Sequence, residues 1–148
     1  RFHGRGIASS WNVTNKATNL NGMFFGCSSL VVHDFSSWDV SNVTDFSCMF
    51  WRCTSFNGDV SSWNVGNATD LSNMFYNCTS FKGDDVSSWN LSNIARATNV
   101  RNMFYGCTSF NAAHISSWDL VLKGGHAATP EDLGIFDRPW TSSSSSCC

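Results

Sequence analysis

Apolar residues recur along this chain in a fixed order. Leu71, Met74, Phe75, Cys78 and Phe81 lie at offsets 0, 3, 4, 7 and 10, the spacing that places side chains on one face of a helix. The same offsets return in Leu20, Met23, Phe24, Cys27 and Leu30, in Phe46, Met49, Phe50, Cys53 and Phe56, and in Val100, Met103, Phe104, Cys107 and Phe110. Thr followed by Asn or Asp precedes each face, at Thr18-Asn19, Thr44-Asp45, Thr69-Asp70 and Thr98-Asn99. Their side-chain oxygens can accept from the unpaired first amides of a helix. One short helix per unit is therefore predicted, near 44–53 in the second. The other half of a unit, as in Val60 to Val65, combines branched residues with Ser-Ser and Trp, and this predicts a short strand with a corner.

Ser-Ser-Trp triplets mark the period: Trp11, Trp38, Trp63, Trp89 and Trp118 are separated by 27, 25, 26 and 29 residues. A unit this short cannot bury its own apolar side and needs neighbours above and below. The expected fold class is an α/β repeat solenoid with one short parallel strand and one short helix per unit of about 25 residues. The array is placed at 1–120, with a partial unit over 1–10 and full units starting near Trp11, Trp38, Trp63 and Trp89. Because the array enters mid-unit, the chain reads as a fragment or processed product. Beyond Leu120 the period is lost. Thr129-Pro130-Glu131-Asp132 reads as a helix start, so 121–141 is expected to cap the array and 142–148 to form a disordered Ser-rich tail.

Composition narrows the function classes. Of 148 residues only 14% are charged, and the net charge is −2, which disfavours a nucleic-acid partner. The 42% hydrophobic content, with twelve Phe and seven Trp, is too apolar for disorder. No run of about 18 apolar residues provides a membrane span.

Each candidate position has a structural reading beside a chemical one. Asn15, Asn42, Asn67 and Asn93 follow the Trp by four residues and are expected to form a buried ladder, because an amide can both donate to and accept from turn backbone. Cys27, Cys53, Cys78 and Cys107 should form a core column of buried thiols, since helix axes about 8–10 Å apart hold them too far apart for disulfides. Cys48, predicted to face outward, and the terminal Cys147 and Cys148 are the reactive candidates. Asp34, Asp59 and Asp85 are weak calcium candidates, because one carboxylate per unit falls short of six to eight oxygens; no metal or other cofactor is expected. Sequons occur at Asn12, Asn42, Asn67, Asn77 and Asn90, with Asn77 the candidate for glycosylation. The Trp column is expected in the core rather than as a sugar platform.

The run from Trp38 to Trp63, with its Val-Ser-Asn-Val-Thr-Asp and Met-Phe elements, resembles the BspA-like leucine-rich-repeat surface proteins and their mycoplasma-lipoprotein repeats. The resemblance covers about Phe2 to Leu120. It implies a leucine-rich-repeat-like solenoid at a cell surface, serving adhesion or binding to a protein or glycan, with no catalytic residues to carry over. The expected function is a non-enzymatic, extracellular or cell-surface binding module. A purely structural repeat array is the alternative, and an ice-binding solenoid is a minor one. The sequence does not specify an oligomeric state.

Overall fold

A computed structural model describes residues 13–31, 35–89, 91, 98–116, 118 and 129–135. Among these, the expected strand-and-helix units are absent. The regular elements are two short 3-10 helices, Asp84–Ser88 and Ala112–Ile115, and extended pairing is confined to three isolated parallel bridges, Asn19 to Asp45, Asp45 to Asp70 and Asp70 to Asn99. The α/β repeat solenoid is therefore overturned, and with it the leucine-rich-repeat architecture that the resemblance implied.

The chain instead builds each unit from successive tight turns. In the third unit the amides of Met74, Tyr76, Cys78 and Phe81 donate to the carbonyls of Leu71, Asn73, Phe75 and Cys78, each three residues back. Offsets of 3, 4 and 7 thus come from turn corners, not from a helical face. The intervening amides leave the unit altogether. Leu71, Asn73, Phe75 and Asn77 donate to Asn99, Arg101, Met103 and Tyr105 of the next unit at 2.7–3.0 Å. A helix would direct every such amide to a carbonyl four residues back.

Left-handed residues enforce the alternation. Gly22, Cys48, Asn73 and Asn102 form one column at φ 54–60°, and Gly26, Arg52, Asn77 and Gly106 form another at φ 55–71°. Gly and Asn tolerate this region best, and they occupy six of these eight positions. The predicted strand is also a turn: the Trp63 amide donates to Val60, with Ser61-Ser62 at its centre, where Ser is favoured. Trp38, Trp89 and Trp118 close equivalent turns on Phe35, Val86 and Ile115.

These coils stack in register. Phe24, Phe50, Phe75 and Phe104 form an interior column with ring centroids 5.5, 5.5 and 5.8 Å apart. Trp38 and Trp63 stack at 6.1 Å, and Trp89 and Trp118 at 6.2 Å. Trp38, Trp63 and Trp89 are buried, which places them in the core. Of the expected cap, 129–135 is described. The Asn102 and Phe104 amides donate to the Asp132 and Leu133 carbonyls, and Leu133 is buried. Thr129 and Asp132 hydrogen-bond reciprocally through their side chains and amides, as in a helix-starting box. Gly134 at φ 77° ends the segment after one turn, so no helix forms there.

Candidate functional site

A second aromatic column reaches the surface at Phe25. Phe25, Trp51, Tyr76 and Tyr105 follow the Met-Phe pairs and form this column. Their rings stack at 4.3, 5.7 and 4.8 Å with interplanar angles of 7°, 17° and 15°. Exposure falls along the column from Phe25, at 46%, to Tyr76, at 3%. The Arg52 guanidinium lies 4.4 Å from the Trp51 ring centroid, in cation–π range. Trp51 Nε1 is buried without a hydrogen-bond partner. The sequence reading missed this column because it sorted residues by a helical face; the signal was an aromatic in four successive units at one place, Met-Phe-aromatic.

The predicted ladder residues make inter-coil bonds, but they lie at the surface. Asn42 Nδ2 donates to the Asn15 carbonyl and Asn67 Nδ2 to the Ser41 carbonyl, both at 2.7 Å, and Asn15, Asn42 and Asn67 are exposed rather than buried. Asn93 lies outside the described residues. Other polar columns behave alike: Thr44 and Thr69 hydroxyls donate to Thr18 and Thr44 carbonyls, while Trp63 and Trp89 Nε1 donate to Phe35 and Val60 carbonyls.

Cys53, Cys78 and Cys107 are buried and Cys27 is half-buried. Each buried thiol donates to a Phe carbonyl of the preceding coil, Phe24, Phe50 and Phe75, at 2.9–3.0 Å. Burial pushes Cys53 and Cys107 up to about 12 and raises Cys78 as well. Such thiols are poor nucleophiles at neutral pH. Cys48, expected to face outward, is fully buried. Cys147 and Cys148 lie outside the described residues.

The carboxylates serve turns. Asp59 accepts from the Ser61 amide and hydroxyl at 2.9 and 2.6 Å, and Asp39, Asp45 and Asp70 accept likewise from Ser41, Ser47 and Ser72. The Ser41 bonds hold the Asp39 carboxyl below its usual range. Asp85 is raised, by burial first and then by the Asp59 and Asp84 charges. Asp34 lies outside the described residues, and among those described no three His, Cys, Asp or Glu side chains converge on a possible metal position. Asn77 is half-buried at φ 56°, with its side chain packed beneath Gly106, a poor setting for a glycan.

Among the described residues this is a stacked-coil repeat protein with a buried aromatic interior and a second aromatic column exposed at Phe25. The chain belongs to the family described as "Mycoplasma protein of unknown function, DUF285", which it matches over residues 2–118. No curated protein and no solved structure matches it. No helix among the described residues is long and apolar enough to cross a membrane.

Proposed function

We propose that this chain is a non-enzymatic cell-surface binding module that contacts a protein or glycan along Phe25, Trp51 and Arg52. The observation carrying this reading is the second aromatic column, which exposes Phe25 and sets the Arg52 cation against Trp51. Aromatic and Arg side chains supply most of the binding energy where partners dock. Because the rings lie face to face, mainly their edges meet a partner. That geometry suits an irregular protein surface better than the flat face of a sugar.

The test is binding of the intact chain to host-surface proteins and to a glycan array, with Phe25→Ala and Trp51→Ala compared against wild type. Loss of about 2 kcal/mol, roughly thirtyfold in Kd, is expected for a central aromatic contact. Unchanged binding by a folded double variant would place the ligand elsewhere.

The column also supports a second reading, a purely structural array, because each ring already stacks on its neighbour and Trp51 Nε1 is sealed from any partner. Failure of wild type to retain any ligand, together with a clear loss of Tm in Trp51→Ala, favours that reading.

A further inference from the structure

The dipeptide Asn-Gly occurs twice in this chain, at Asn21-Gly22 and at Asn57-Gly58. It is the pair in which a backbone amide most readily attacks the preceding side chain, since Gly has no Cβ to obstruct the approach. The fold treats the two copies differently. The Gly22 amide donates to the Ser47 carbonyl at 3.0 Å, and Asn21 Nδ2 donates to Ser47 Oγ, so the second coil holds both reacting groups of the first copy.

The second copy is arranged for reaction. Among the described residues no acceptor takes the Gly58 amide. Asn57 is exposed, and its Oδ1 accepts from the Lys82 amide of the third coil at 3.0 Å. Negative charge develops on that oxygen when Cγ is attacked, and a fixed N–H at about 2.7–3.1 Å is the donor that stabilises it. Asn19, Asn64, Asn99 and Asn111 also accept through Oδ1, but from the amide two residues on in their own turns, and Leu, Val, Val and Ala follow them. Among the described residues, Asn57 alone combines an inter-coil donor with a following Gly.

We propose that Asn57-Gly58 is a self-modifying site, at which the chain converts Asn57 to aspartate or isoaspartate with water as the co-reactant. The Gly58 nitrogen bonds to Asn57 Cγ, the Cγ–Nδ2 bond breaks, and Nδ2 leaves as ammonia with the Gly58 proton. Water then opens the succinimide at either carbonyl, one giving aspartate and the other isoaspartate. Gly58 is buried, so base takes its proton only as this turn breathes, and the conversion is slow. Isoaspartate inserts a main-chain methylene between Phe56, which is fully buried and stacked on Phe50 at 4.2 Å, and the Asp59 turn. The modified chain should therefore melt below the fresh one.

The test is incubation of the folded chain at mildly alkaline pH, followed by peptide mapping that identifies isoaspartate. The peptide holding Asn57 should convert at least about tenfold faster than the one holding Asn21, which is the effect of about one hydrogen bond restraining Gly22. In urea the two should convert at comparable rates. Lys82→Pro, which removes the donor, should slow Asn57 by about tenfold in a chain that still folds. The proposal is overturned if Asn21 keeps pace with Asn57 in the folded chain, if Asn57 converts only in urea, or if its advantage persists in urea and so belongs to the flanking residues. A folded Lys82→Pro chain converting at the wild-type rate also overturns it. Should that variant not fold, the wild-type comparison of the two sites decides by itself.

Discussion

Gly106 and Gly26 occupy the same column at φ 71° and 70°, yet their surroundings differ. A Cβ on Gly26 meets nothing within 4 Å, whereas one on Gly106 would collide with the Asn77 side chain and lie 3.4 Å from its Cα. Gly26→Ala should therefore cost only the left-handed backbone penalty of about 1–2 kcal/mol. Gly106→Ala should cost more, and calorimetric Tm values of the two variants separate the terms. The thiols supply a second expectation at this scale. Cys53 and Cys107 titrate at about 12 when folded, against an ordinary value of 9.0. Below pH 9 the neutral thiol is present in both states, so no stability is lost. Between 9 and 12 the unfolded chain releases protons that the folded chain keeps, so stability must fall as pH rises. Urea midpoints measured through that range should decline, and native-state alkylation at neutral pH should be much slower than after unfolding.

The turns carry the second scale. A far-UV circular dichroism spectrum should lack the helical double minimum, because the amides that would build a helix serve three-residue turns or the next coil. The 3-10 helix Asp84–Ser88 bears a local conflict, since Asp85 is partly buried beside Asp84 and near Asp59. Its folded pKa is raised, so ionised Asp85 opposes folding above its ordinary value of 3.8. Asp85→Asn should accordingly raise Tm at neutral pH and lose that advantage as pH falls through this value. The period and the inward residues were legible in the sequence because only one side of each unit can be dried by its neighbours. The element type was not, because turn corners spaced by three and four imitate a helical face. Asn73, Asn77, Gly22 and Gly26 held the distinguishing signal, since those residue types at four-residue intervals break a helix and suit left-handed turns.

At the scale of the whole molecule, stability resides in the stacking. Phe50 lies between Phe24 and Phe75 at 5.5 Å from each and is fully buried. Phe50→Ala should cost about 3–5 kcal/mol, measured by urea unfolding. Amide exchange should be slowest at Phe50 and Phe75, whose inter-coil bonds are covered on both sides, and faster toward the ends, where opening needs fewer neighbours to move.

The sequence by itself determined the repeat, its period and the buried Met, Phe, Cys and Trp columns, though not the exposure of the Asn column or the burial of Cys48, because apolar side chains must be dried and a single unit is too small to dry its own. It also determined that Cys53, Cys78 and Cys107 would be inert, since their place among Met and Phe recurs in every unit. Only the tertiary structure decided that turns replace helix and strand, because the choice depends on whether an amide finds its carbonyl within the coil or on the next one. It alone brought Phe25, Trp51, Tyr76 and Tyr105 into one stacked column, and gave the inter-coil bonds of the Met-Phe turns a common direction. Both depend on the partners available across coils, which no single unit contains.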